Sequence, residues 1–461
     1  MSILAAFMVP HPPMIIPAIG RGNERQVENT TLAYEQVADE IAALRPETII
    51  LSSPHTTMYL DYFHISPGRS AFGSFGQFRA PEVRFTETYD AELVERIQKL
   101  AQEQQFPAGH LGEREKELDH GTMVPLWFIR QKYTDFKLVR VGLSGLPLTD
   151  HYALGQIIRQ AVEETGRRAI YVASGDLSHK LQEYGPYGFA PEGPAYDKRI
   201  MDVCGRGAFE ELFQFDDAFC ERAAECGHRS FVIMAGTMDG QKVEANAISH
   251  EDVTGVGYGI CTFYPGAPDR KRCFLDQHLK RVEAELRNRR EQADPYVQLA
   301  RASLEQYIME GKKLQLPENL PSELTQRRAG AFVSIHKHGK LRGCIGTIQP
   351  VTNCLASEIV ENAVSASTKD PRFPPVTREE LKWLEINVDV LGTPERIDGP
   401  EQLDVKRYGV IVSNGGRRGL LLPDLDGVDT VEQQIDIARQ KAGIARGEPV
   451  TLERFEVVRH I

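Results

Sequence analysis

Residues 48–57, TIILSSPHTT, show how the first half of the chain is built: a β-branched, apolar run passes into Ser52-Ser53-Pro54, and His55 follows. Such a run bounded by turn residues reads as a strand, which puts the imidazole just past its carboxyl end. The same pattern recurs in LAAFMVPH, ending at His11, and in RAIYVASGDLSH, ending at His179. His120 in LDHGTMVPL reads as another strand end or tight turn, and AECGHRSF adds Glu225, Cys226 and His228. Taken singly, each histidine reads as an ordinary hydrogen-bonded residue. Delivered together from several strand ends, imidazoles are what a metal-centred site needs, because a first-row ion takes nitrogen, carboxylate or thiolate ligands from separate segments.

Outward from this stretch, the strand-like runs ILAAFMV, TIILSS, KLVRVGLS and RAIYVAS alternate with helical stretches such as NTTLAYEQVADEIAAL, AELVERIQKLAQEQ and HYALGQIIRQAVEET. That alternation predicts a three-layer α/β domain over residues 1–275, with its sheet buried on both faces and ligands at the carboxyl ends of the strands. A charged helical linker is expected over 276–294, broken at Asp294-Pro295 because proline disfavours helix for the residue before it. Residues 295–461 change rhythm. AFVSIHKHGKLRGCIGTI reads as a hairpin turning at His338-Gly339-Lys340, and LEINVDVL and GVIVSNGGRRGLLLP as further strands, giving an α+β domain. His336 and His338 read as exposed turn residues. The Gly- and Phe-rich stretch SPGRSAFGSFGQFRAPEVRF reads as a loop lying over a site or an oligomer contact.

Composition narrows the function. At 461 residues the chain is too long for one ordinary core, and 41% hydrophobic with 26% charged residues describes a globular protein. The formal charge of -11 argues against nucleic acid as a main partner, since phosphate binding needs a basic face. No 18-residue apolar run occurs and MSILAAFMVPHPP lacks the pattern of a signal peptide, so a cytoplasmic protein without a membrane span is expected. The 7 cysteines are widely spaced without a CxxC pair, which reads as reduced thiols.

Two parallel strands ending in His11 and His55 would bring their ring nitrogens close enough to share one ion, and the AECG segment offers a third ligand from Glu225, Cys226 or His228. His179 follows a polar turn with Asp176 three residues earlier, an arrangement suited to general acid/base work, with the carboxylate fixing the imidazole's tautomer. The competing reading is that Ser174, Asp176 and Ser178 only cap that turn.

The order VPHPPMIIP, SSPHTT, LDHGTMVPL, SGDLSH and AECG with a GVGYG close resembles the LigB-like class III extradiol ring-cleavage dioxygenases and their Memo-like relatives, over residues 1–270. The resemblance implies a mononuclear non-haem Fe(II) held by two histidines and a glutamate. By position, His11 and His55 match the metal ligands, His179 the acid/base, and His120 a residue contacting substrate or backing the ligands. The third ligand departs: Memo-like proteins carry a Cys-Gly pair that matches Cys226, whereas the ring-cleaving enzymes use a glutamate, for which Glu225 stands adjacent. A thiolate favours softer ions, zinc or copper among them, and changes the redox behaviour of iron.

Leu341-Arg342-Gly343-Cys344-Ile345-Gly346-Thr347 and Asp370-Pro371-Arg372-Phe373-Pro374-Pro375, with the strand Leu384 to Leu391, are similar to the AMMECR family over residues 295–461. Arg342 beside Cys344 suggests a reactive or ligand-binding thiol, against the alternative of a buried cysteine with glycines for fit. Together the two resemblances imply the Amme-Memo-RadiSam set, and with it a radical S-adenosylmethionine protein as partner; this chain lacks the CxxxCxxC cluster motif itself. The leading expectation is a metal-dependent dioxygenase acting on a small aromatic or cyclic substrate. A metal-dependent hydrolase at the same site and an accessory or scaffold protein stand beside it.

Overall fold

Six strands form the sheet of the first unit: β1 (Ile3–Val9), β2 (Thr48–Ser53), β3 (Lys137–Gly142), β4 (Ala169–Ser174), β5 (Gln241–Glu251) and β6 (Tyr258–Pro268). Their order is β3-β2-β4-β1-β6-β5. The first four are parallel, and β6 and β5 extend the sheet antiparallel. The computed structural model describes residues 3–425 and 427–461. The chain divides into two units, Met1–Leu279 and Lys280–Ile461.

β2 and β4 are buried at every position, so hydropathy along them shows no alternation. Their side chains alternate all the same. Phe7, Val9, Ile49, Leu51, Ile170 and Val172 meet Tyr34, Val37 and Ile41 of α1 (Glu28–Leu44) and Val124 and Phe128 of α3 (His120–Arg130). Met8, Ile50, Tyr171 and Ala173 face the other way, onto Leu154 and Ile158 of α4 (Leu148–Thr165) and Val232 of α6 (His228–Gly236). Two apolar cores on opposite faces of one sheet make the expected three layers, and each large side chain so buried contributes about 1.5–3 kcal/mol. Between the strands lie α2 (Ala91–Glu103), capped by Asp90, and α5 (Glu192–Arg206).

Two expectations need correction. The Gly- and Phe-rich stretch is a β-hairpin, Ser70–Phe75 paired with Ala80–Thr88, whose Ala71, Gly73 and Phe75 turn inward at the alternate positions of a strand. His120 is the first residue of α3, not part of a strand end. Asp119 caps that helix, its carboxylate accepting the Thr122 N–H at 3.0 Å.

The second unit holds β7 (Ala331–Lys337), β8 (Lys340–Gly346), β9 (Leu384–Leu391), β10 (Glu395–Ile397), β11 (Tyr408–Asn414), β12 (Arg417–Leu421) and β13 (Thr451–His460). They form one curved sheet, ordered β8-β7-β9-β13-β11-β12 with β10 on β13. The helix α7 (Phe274–Gln292) crosses the division between units, and α8 (Pro295–Glu310) starts with proline at its first position, where no N–H is needed, and Asp294 as cap. α9 (Leu355–Thr368) packs on β7 and β8, α8 on β9, and α10 (Val431–Ala442) on β11 and β12. The turn at His338-Gly339 is as expected, with both residues at positive φ. Among the described residues no helix is long and apolar enough to cross a membrane.

Candidate metal centre

β2, β4 and β1 lie side by side and parallel, so the loops leaving their carboxyl ends gather at one place. Each delivers a polar residue at the same offset: His11, His55 and Asp176 are all second past their strand's last residue. Nε2 of His11 lies 2.9 Å from Nε2 of His55 and 3.7 Å from Sγ of Cys226. These three donor atoms lie within 4.8 Å of one another. An ion holding nitrogen at ~2.1 Å and sulfur at ~2.3 Å in a tetrahedral arrangement needs ligand separations of about 3.4–3.6 Å, so a small adjustment seats it.

Cys226 arrives from the segment before α6. Its loop crosses the loop after β4 at Gly175 and Gly227, where a Cβ on Gly175 would sit 2.1 Å from the Cα of Gly227. With both side chains absent, the Asp176 N–H donates to Cys226 Sγ at 3.3 Å and the Cys226 N–H to the Asp176 carbonyl at 3.4 Å. Asp176 also accepts the His11 backbone N–H on Oδ1 at 2.7 Å, tying β1 to β4. The loop before His11 is held by the Tyr34 hydroxyl, which donates to the Pro10 carbonyl.

Burial sets the charge states. His11 is 2% exposed, and desolvation, then the nearby His55, holds its pKa well below the usual imidazole value. Desolvation also lowers His55, and takes His120 down to about 4. All three are neutral at pH 7, the form that ligates metals. Burial, then Asp176 and Glu225, pushes the Cys226 thiol well up, a balance that a bound cation reverses.

The remaining expected site residues sit around this group in distinct ways. The His120 ring lies 4.0 Å from that of His55 and 5.4 Å from that of Phe78, the hairpin's contribution. His179 donates from Nδ1 to the Ala224 carbonyl at 2.6 Å, leaving Nε2 bare, and its ring meets the exposed Tyr187 edge-on at 5.2 Å. Asp176 therefore does not set the tautomer of His179; its carboxylate serves the His11 N–H, and Ala224 does the orienting. Glu225 is turned away from the donor group, accepting the His228 N–H at 2.6 Å at the start of α6, and burial pushes its carboxyl up to about 7. His228 is buried beside Tyr196, with Nε2 donating to the Leu212 carbonyl at 3.1 Å.

Sequence reasoning passed over Asp119, Phe78 and the glycine crossing. Asp119 accepts from Ser53 Oγ at 2.6 Å and faces Arg140, one of the largest fully buried side chains. An Asp three residues before Thr122 was a visible capping signal. The contact of Phe78 with His120 is tertiary and left no local mark.

In the second unit, Arg342 is turned away from the thiol. It pairs with Glu380 at 3.0 and 2.9 Å and donates to the Pro374 carbonyl at 2.9 Å. Cys344 instead receives the Ser334 hydroxyl at 3.3 Å, while its N–H donates to Asp370, which also holds Arg372.

Residues 5–261 match the family described as the catalytic LigB subunit of aromatic ring-opening dioxygenase, and residues 297–460 match AMMECR1. A Clostridium acetobutylicum protein is 40% identical over 468 residues, spanning 100% of this chain and 99% of its own. A Thermotoga maritima protein is 52% identical over 168 residues, covering 36% of this chain and 97% of its own. Of solved structures, an uncharacterised Pyrococcus horikoshii protein is similar at 32% identity and a TM-score of 0.35, covering 37% of this chain and 90% of that one. With a match over more than half its length and a full-length relative of the same span, the chain belongs to the LigB family of aromatic ring-opening dioxygenase catalytic subunits and carries an AMMECR1 unit behind that domain.

Proposed function

We propose that the first unit is a metal-dependent oxidoreductase of the ring-opening dioxygenase type, holding Fe(II) through His11, His55 and Cys226 and acting on a small aromatic or cyclic substrate. The observation that carries this reading is the convergence of two neutral imidazoles and a thiol at the carboxyl ends of parallel strands. The bound ion supplies Lewis acidity and a redox-active centre. The protein's own groups do the rest. His179, with Nδ1 committed to Ala224, takes or returns a proton at Nε2. His120 and Phe78 present ring faces and edges against which a flat substrate stacks. Asp176 holds the His11 backbone and so keeps the donor group together.

A second reading has its own support in the ligand set. Cys226 stands where a carboxylate would serve ring cleavage, and Glu225 is engaged with the helix start. A thiolate suits zinc or copper as well as iron, and favours an accessory metal protein working with a radical S-adenosylmethionine enzyme. A zinc-dependent hydrolase at the same residues is the third.

Metal analysis of the full chain purified without oxygen separates these. The leading reading expects about one iron per chain, lost in Cys226→Ala and kept in Glu225→Ala, with oxygen uptake when catechols are added. Stoichiometric metal without oxygen uptake, joined by co-purification of an iron–sulfur protein, favours the accessory role. Zinc with oxygen-independent hydrolysis favours the hydrolase. No stoichiometric metal, or metal unchanged in His11→Ala and His55→Ala, overturns all three.

A further inference from the structure

Ser174, the last residue of β4, is fully buried and has two partners on its hydroxyl. Oγ lies 2.6 Å from the carbonyl oxygen of Gly121 and 3.0 Å from Nδ1 of His11. A carbonyl oxygen only accepts, so the single hydroxyl proton is committed to Gly121. The opposite assignment would leave two oxygens 2.6 Å apart with no proton between them. Oγ therefore meets His11 as an acceptor, and Nδ1 of His11 carries the proton.

The Gly121 carbonyl is available for a reason written in the sequence. In α3 its helical donor would be the N–H of residue 125, four positions on, and residue 125 is proline. Pro125 has no N–H, so the carbonyl at 121 has no helical bond to make and turns its acceptor capacity to Ser174. Pro125, Gly121, Ser174 and His11 thus form one chain from the interior of α3 to the donor group.

We propose that Ser174 is a positioning residue that locks His11 in the Nδ1–H tautomer, so that Nε2 alone presents a lone pair to a metal; its functional meaning rests on the metal-centre reading above. The two histidines are then not equivalent. With a bare lone pair on Nε2 of His11, the 2.9 Å contact with Nε2 of His55 is a hydrogen bond only if His55 carries its proton there. In the metal-free protein His55 is the Nε2–H tautomer and donates to His11. For both imidazoles to hold one ion through Nε2, His55 would have to carry its proton on Nδ1 instead, a change of tautomer with no net gain or loss of protons. His11 is pre-set, and His55 is the residue that changes.

The test uses the full chain with 15N-labelled histidine, stripped of metal, and reads ring nitrogen shifts and couplings, with the His11 signals assigned by their loss in His11→Asn. The expected result is His11 as Nδ1–H and His55 as Nε2–H. In Ser174→Ala, His11 becomes a mixture of tautomers, and Fe(II) affinity falls about tenfold to a hundredfold, the range for removing a hydrogen-bond partner behind a ligand. His11 found as Nε2–H in the native chain overturns the proposal without any variant. Fe(II) affinity within twofold of native in a folded Ser174→Ala also overturns it. If the native chain shows the expected tautomers yet binds no Fe(II), the lock on His11 stands and the metal reading fails.

Discussion

Gly175 and Gly227 touch backbone to backbone, and an added Cβ at 175 would lie 2.1 Å from its neighbour. No rotation of a side chain relieves that, so Gly175→Ala must push the two loops apart. Overpacking of this kind costs about 1–3 kcal/mol, and the separation also breaks the two bonds between Asp176 and Cys226. The expected outcome is a lower thermal midpoint together with loss of metal, measured by calorimetry and metal analysis on one preparation. Unchanged metal content would mean that the crossing does not position the thiol. That His11 and His55 would gather with the Glu225-Cys226 segment was legible in the sequence, because strand–turn–His and Cys-Gly are local patterns. The hydrogen bonds that orient them were not, since Ser174 and Gly121 lie 163 and 53 residues from the partners they serve.

At the scale of elements, the strands read correctly because their β-branched runs end in turn residues, and the second-unit hairpin because His338-Gly339 adopts the positive φ its turn requires. His120 was read as a strand end or tight turn, whereas it opens α3, which tolerates Pro125 in its interior. The clamp between β8 and the loop before β9 yields a pH prediction. Burial would raise the Glu380 carboxyl, but hydrogen bonds from Arg342, Thr377 and Lys337 outweigh it and hold the pKa at about 2. A carboxyl depressed from 4.5 to about 2 contributes stability that is fully present above its unfolded value and is lost as pH falls through the folded one. Unfolding of the second unit, followed by Trp383 fluorescence in a Trp127→Phe background, should lose up to about 3 kcal/mol between pH 4.5 and 2. Glu380→Gln should flatten that dependence and lower stability at pH 7; an unaltered slope would remove the clamp from the account.

The whole molecule joins two units of different construction. One is a sheet of four parallel and two antiparallel strands with an apolar core on each face, which gathers His11, His55 and Asp176 at its parallel strand ends. The other is a curved antiparallel sheet whose LRGCIGT strand is pinned by Asp370 and Glu380. The change from alternating strand and helix to consecutive strands was legible in the sequence; which of Glu225 and Cys226 lies beside His11 was not, because the two are neighbours and only the fold turns the Cys226 thiol toward that ring. The most direct test of the central claim is X-ray absorption at the K-edge of the metal bound to protein purified without oxygen. The account predicts two imidazole nitrogens and one sulfur at ~2.3 Å, with the sulfur shell absent in Cys226→Ala. A first shell of nitrogen and oxygen alone, unchanged in that variant, would contradict it.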